Sequence, residues 1–466
     1  MAGVATLLTC LFIGALLLVN RDSKVRTSPA LWLPVIWFAI ATSRPVSAWL
    51  QMAPVRSAEQ YLEGSPLDRN VFLALLVLGL FVLLSRTRKV GPLLKGNLPL
   101  LMFFAYCAVS VLWSEFPDVA FKRWIKALGD VVMVLVVLTE HDPPAAIKRL
   151  FARVAFVFAP LSLLFIRFYG NLGRQYDRWE GGVMNTGIAT DKNMLGMACC
   201  VFGIALFWRL LQEPSAPRGH QRRGAVFAHC AVLAMLVWLL VVSDSMTALG
   251  CFVLASGLMF ATNFPGLRRP VVVHLTVAGI LCAVFLALFA DIGGQVLAQM
   301  GRDPTLTGRT ELWSTLLAYK ASPMVGTGFE SFWLGPRLEA IWALQWWRPN
   351  EAHNGYLETY LNLGWVGVWL LAFIIIFGYR SIHAMLQYDP AGGQIRLAFF
   401  VVAVAYNLTE SAFRTLHPMW LAFLLAVIVV PTPRPRTASE QQESTADTAR
   451  RPVRPAFAGR SYRRQG

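Results

Sequence analysis

One imidazole stands out in this sequence. His353 ends the largest hydrophilic stretch, residues 291–354, at the point where Asn354 opens a long apolar helix. A ring beside a helix N-terminus feels the positive end of the helix dipole, which disfavours the imidazolium and keeps a neutral base available for proton abstraction. Glu351, two residues earlier, either orients that ring or opposes the shift. A second set of residues is cationic: Arg174 and Arg178 in one loop, Arg302, Arg309, Arg337 and Arg348 in the next, Arg414 near the end, and Lys192 just before an apolar helix. Guanidinium forks bind phosphate oxygens bidentately, so several converging on one site would hold a diphosphate without a metal. Arg44, Asp244, Glu358 and Glu410 are charges in or beside apolar spans, where a charge is usually functional, but they lie near outer helix ends and read equally as rim residues. No D-x-D, H-E-x-x-H, paired-carboxylate or GxxxxGK[ST] pattern occurs, so neither a bound metal, a nucleotide nor another cofactor is expected.

These residues must be positioned by membrane helices. Of 466 residues, 56% are hydrophobic and only 15% charged, with 16 Trp and 30 Phe, more apolar side chain than one hydrophilic surface could cover. A secreted domain, a disordered scaffold and a cytosolic enzyme are thereby excluded. Apolar stretches near 3–19, 30–50, 70–84, 98–113, 124–139, 150–166, 193–211, 225–242, 246–262, 271–290, 355–379, 396–410 and 417–431 predict an all-α polytopic bundle of about 12–13 spans.

The net charge of +16 could point to nucleic acid, but its distribution says otherwise. The alternate connections 20–28, 85–97, 140–149, 212–224, 263–270, 380–396 and 432–466 together carry all +16. By the positive-inside rule they are cytoplasmic, which puts the N-terminus outside and the C-terminus inside, and no nucleic-acid partner is expected. Residues 1–19 lack a basic n-region and read as a retained first helix. The seven cysteines fall in or beside apolar spans and predict no disulfide framework. The tail from Pro431, rich in Pro, Arg, Ser, Thr and Gln, predicts a disordered cytoplasmic segment that could touch anionic lipid.

Two outward loops are long enough to hold chemistry, about 167–192 and 291–354. The larger contains two helical patterns. In one, Leu312, Trp313, Leu316 and Leu317 share a face before Pro323; in the other, Pro336 starts a helix whose Leu338, Ile341 and Trp342 line one side. They would lie over the mouth of the bundle, either at the membrane interface or as a cap. Between them, Gly326 and Gly328 in PMVGTGFESF read as a plain turn rather than a phosphate loop.

From His353 onward the chain reads HNGYLETYLNLGWVG, an H-N-x9-G-x-x-G pattern that resembles the signature of the O-antigen ligase and O-antigen polymerase-like membrane proteins. GRTELW at 308–313, Pro323 with GTGF at 326–329, and TDKNMLG at 190–196 are similar to other segments of that family, and NLTES at 407–411 to its exopolysaccharide-polymerase branch. Ligases often carry Thr after the final glycine, where Val368 stands here. The resemblance implies a metal-independent membrane glycosyltransferase of the GT-C type in the bacterial inner membrane. It would move a glycan from undecaprenyl diphosphate to an acceptor sugar hydroxyl at the periplasmic face, with inversion. His353 would be the base and Arg309 the contact to the diphosphate; Arg174, Lys192 and Arg414 would assist in substrate binding, and Asn354 and Glu351 would orient His353. The chain then divides into 1–192, an O-antigen ligase-like module 193–431, and the tail 432–466. Membrane lipids and polysaccharide assembly proteins are the expected partners. A lipid-linked glycan flippase and a non-catalytic assembly subunit are the rival readings; absence of a visible internal repeat weighs against a transporter.

Overall fold

The computed structural model describes residues 1–19, 27–51, 64–176, 181–212, 220–289, 309–319 and 321–430. The tail 432–466, Arg178, Arg302 and Gly308 lie outside the described residues. The longer helices are α1 (Ala2–Val19), α2 (Trp32–Thr42), α3 (Pro66–Ser85), α4 (Thr87–Gly96), α5 (Leu98–Ser110), α6 (Pro117–Leu138) and α7 (Pro143–Phe168). They continue with α8 (Lys192–Gln212), α9 (His220–Val242), α10 (Met246–Ala261), α11 (Pro270–Phe289), α12 (Arg309–Ala318), α13 (Gly335–Leu344), α14 (Gly355–Tyr388), α15 (Pro390–Tyr406) and α16 (Pro418–Val427). A two-stranded antiparallel hairpin, β1 (Arg174–Tyr176) and β2 (Val183–Asn185), is the only sheet among the described residues.

Each expected span falls on a helix, and the chain is an all-α polytopic membrane protein. Seven described helices are long and apolar enough to cross a membrane, and α4 with the helix that follows it counts as an eighth, bent by 86°. Pro92 inside α4 and Pro99 at the start of α5 remove backbone donors at this bend. Starts are set by local chemistry: Pro occupies the first turn of α3, α6, α7, α15 and α16, and side chains of Ser65, Asp142, Asp389 and His417 accept backbone N–H bonds at four of them.

Met1–Val429 packs as one compact unit. Its centre is α8, α15 and α16, whose side chains are buried on nearly every face, whereas α1 and α11 are mostly exposed and therefore lie where lipid would cover them. All seven cysteines are free thiols.

The segment before α14 folds as a cap with its own core. Leu312 and Leu316 of α12, Leu338 and Ile341 of α13, Phe332, Trp333 and Ala352 bury together against Leu361 of α14. Leu317, expected on the same face as Leu316, is 57% exposed, because the stripe of α12 is narrower than its sequence indicates.

The glycines of PMVGTGFESF have a larger job than the expected turn. At Gly364, with φ +62° and ψ −166°, α14 breaks, and its freed backbone groups pair with this segment. Thr327 and Gly328 N–H donate to the carbonyls of Leu361 and Asn362 at 3.1 and 2.8 Å, while Trp365 and Val366 N–H donate to Pro323 and Met324 at 2.9 and 3.1 Å. A Cβ on Gly364 would lie 2.3 Å from the Met324 carbonyl carbon, and one on Gly326 would lie 2.4 Å from that of Asn362. The two backbones can run this close only because both residues lack a side chain.

Candidate active site

The loop ending at His353 is fastened to the α15–α16 connection by Asn354 and Gly355. Asn354 Oδ1 caps α14 by accepting from Tyr356 and Leu357 N–H at 3.0 Å, while its Nδ2 donates to Leu408 O at 3.2 Å. Its own N–H donates to Ser411 Oγ at 3.1 Å, and Gly355 N–H reaches the carbonyls of Asn407 and Glu410. Asn407 completes the clamp by accepting from Ala412 and Phe413 N–H at 2.8 and 2.9 Å. The H-N-G and N-L-T-E-S motifs are thus two halves of one joint.

That joint presents His353, itself held in left-handed backbone at φ +49°, to two carboxylates. Its Nδ1 lies 3.2 Å from Glu410 Oε2 and 3.4 Å from Glu351 Oε1. Arg309, the first residue of α12, donates to Glu410 Oε1 at 2.9 Å, and Arg414 pairs with Glu351. Trp313 Nε1 donates to Ala352 O at 2.8 Å, tying α12 to the same loop. Five groups distant in sequence therefore form one alternating chain of charge: Arg309, Glu410, His353, Glu351, Arg414.

The electrostatics reverse the expectation of a ring depressed by the helix dipole. Burial lowers the proton affinity of His353, but the hydrogen bond to Glu410 and the charges of Glu351 and Glu410 outweigh it, and the pKa is raised. A helix terminus offers about half a charge, already capped here by Asn354, against two full carboxylates at contact distance. Burial acts on Glu410 in the opposite sense, yet the bond from His353 and the Arg309 guanidinium hold its carboxyl below the usual range. With Nδ1 turned toward carboxylates, Nε2 is the atom left to take a proton.

Glu351, His353 and Glu410 each offer a ligand atom within 4.8 Å of the others, a grouping that could hold a cation. Both carboxylates already carry a guanidinium, so a divalent ion would have to displace Arg309 and Arg414.

The other expected residues take different partners. Arg174 in β1 donates to Ile166 O at 2.9 Å, and Lys192 pairs with Asp244 at 3.5 Å. Arg337 binds Glu115 at 2.6 Å, and Arg348 stacks over Trp342. Arg44 donates to the backbone carbonyls of Leu172, Gly187 and Ala189, holding the first loop. His417 is buried and caps α16 through Nδ1, 3.2 Å from Met419 N–H.

Two of the charges left open between a functional and a rim reading lie at the site. Glu410 is the partner of His353, and its signal was its place in N-L-T-E-S. Glu358 accepts from Trp333 Nε1 at 2.7 Å, Ala352 N–H at 2.9 Å and Asn362 Nδ2 at 3.0 Å, and so braces the loop one residue before the imidazole. Asp130 had no sequence signal. It accepts from Trp37 Nε1 at 2.8 Å and from Leu416 N–H at 3.0 Å, anchoring the turn that carries Arg414.

A cavity of about 540 Å³ adjoins this cluster, with Glu351 and Arg414 on its wall and α6 opposite. Its volume is that of a small-molecule site, which runs ~300–1,000 Å³.

Residues 229–372 match the family model described as O-Antigen ligase. The chain is also 26% identical over 300 residues to the exopolysaccharide production protein ExoQ of Rhizobium meliloti (strain 1021), an alignment covering 62% of this chain and 66% of that relative, just under two thirds of its length. With the motifs and the membrane bundle that carries them, these likenesses support kinship with the O-antigen ligase/polymerase-like membrane proteins.

Proposed function

We propose that the protein is a metal-independent glycosyltransferase that moves a glycan from an undecaprenyl diphosphate carrier to a sugar hydroxyl, at the periplasmic face of the bacterial inner membrane. The observation that supports this reading is the contact of His353 Nδ1 with Glu410 and Glu351, which raises the proton affinity of the ring and leaves Nε2 as the atom that would receive the acceptor's proton. The acceptor oxygen attacks the anomeric carbon as its proton passes to Nε2. The bond from that carbon to the diphosphate oxygen breaks, its electron pair leaves with the diphosphate, and configuration inverts. Arg309 is placed to serve both ends: it fixes Glu410 through one nitrogen, and its remaining donors suit the departing oxygens.

Similarity to an exopolysaccharide production protein favours polymerisation over ligation to a lipid core. The experiment is incubation of the purified protein with lipid-linked oligosaccharide. A lengthened or transferred glycan supports the reading. Movement across a vesicle membrane without new glycosidic bonds would establish the flippase instead, and neither result would leave the assembly-subunit reading.

A further inference from the structure

The cavity beside the charge chain carries a cation that the proposed chemistry does not use. Arg123 and Lys126 stand three residues apart on α6, one helical turn, and both line the cavity. Arg123 donates to the backbone carbonyl of Glu330 at 2.6 Å. Lys126 makes no direct hydrogen bond or ion pair among the described residues, although the charges of Glu330, Asp130 and Asp68 act on it from farther off. An ammonium held inside a membrane bundle is costly and is usually retained for function.

The other wall residues define what that cation would meet. Glu351 is bound by Arg414, Glu358 by Trp333, Ala352 and Asn362, and Glu330 by the Thr415 hydroxyl at 2.6 Å. The three cations of the wall, Arg123, Lys126 and Arg414, are thus matched by three carboxylates. A wall so balanced offers no surplus of cations to a diphosphate bearing two or more charges, whereas the ammonium of Lys126, which makes no hydrogen bond of its own, can take one carboxylate as a direct partner. Trp333, Phe413 and Trp420 give the same cavity broad aromatic faces, which suit the C–H faces of a sugar ring.

We propose that Arg123 and Lys126 form a subsite for a carboxylate borne by the glycan, a uronic acid or a carboxylated sugar, separate from the guanidinium of Arg309. This rests on the glycosyltransferase reading only for its kinetic consequence; the binding consequence stands alone. The full chain in detergent is titrated calorimetrically with a disaccharide ending in glucuronic acid and with its neutral glucose counterpart. The acidic disaccharide is expected to bind about tenfold more tightly, the worth of one charge-assisted hydrogen bond. K126M should erase that preference while leaving neutral binding unchanged, and K126R, which keeps the cation, should retain it. Equal binding of the two disaccharides by the wild-type protein would overturn the proposal. So would displacement of the acidic disaccharide by inorganic pyrophosphate in a manner dependent on Lys126, which would give the cation to the carrier instead. In turnover, K126M should raise KM for acidic lipid-linked donors or acceptors and leave neutral ones alone. A protein that transfers nothing yet keeps the calorimetric preference would refute the enzyme reading and uphold the subsite.

Discussion

Nδ1 of His353 lies 3.2 Å from Oε2 of Glu410, a residue 57 positions later in the chain. The contact settles which ring nitrogen is engaged and why the ring holds protons more tightly than a free histidine. It also makes the site's behaviour with pH predictable.

A general base works as the neutral ring, so activity should rise with pH through the raised pKa of His353. Glu410→Gln removes one of the charges that raise it and should move this limb of the kcat/KM profile to lower pH, with a reduced plateau. His353→Ala should cost about 10²–10⁴-fold, the usual worth of a positioned acid or base. A profile that does not move in the Glu410 variant would separate the two residues functionally.

The same shift has a stability signature. Because the folded-state pKa of His353 lies above its unfolded value of 6.5, its contribution is fully present below pH 6.5 and is lost as pH rises through the folded value. Thermal melts of the detergent-solubilised protein should show this loss as the pH is raised above 6.5, and Glu410→Gln should flatten it.

Arg309→Lys should be severely impaired in turnover, since a point charge cannot hold Glu410 and also present a planar fork. A chelator should leave the rate unchanged, because guanidinium groups occupy the carboxylates of the Glu351, His353 and Glu410 cluster. Replacing both Arg309 and Arg414 with Met should create zinc affinity measurable by calorimetry.

Gly355→Ala tests the joint. The added Cβ would fall 1.9 Å from Asn407 Oδ1, so the clamp must open, at a cost of about 1–3 kcal/mol as for other overpacked cores and with loss of activity. Gly250→Ala in α10 is the control: nothing lies within 4 Å of its Cβ, and it should be neutral or stabilising by about 0.5–1 kcal/mol. Thermal melts and turnover of the two variants together make the comparison.

Much of this architecture could be read directly from residue order. Runs of apolar residues located the spans, and Pro323 and Pro336 bounded the cap helices, because length, hydropathy and proline geometry act locally. His353, Asn354 and Arg309 were legible as a motif. Glu358 was visible only as a charge near a helix end, Glu410 also as a member of N-L-T-E-S but not as the partner of His353, and Asp130 gave no sign at all. Their roles depend on α6, α14 and the α15–α16 connection meeting in space, which no spacing along the chain encodes. The protonation of His353 was misjudged for the same reason: the dipole of its own helix is a neighbour in sequence, whereas Glu410 is not.

The interruption at Gly364 divides α14 between two tasks. Nine residues of helix, about 14 Å at 1.5 Å each, separate Asn354 from the splice with the 323–328 segment. This upper piece is a pillar of the cap, and only the part below it need follow the bilayer. The contacts of the imidazole with its carboxylates are thus fixed by backbone pairing within the protein, above the break rather than along the whole length of the helix.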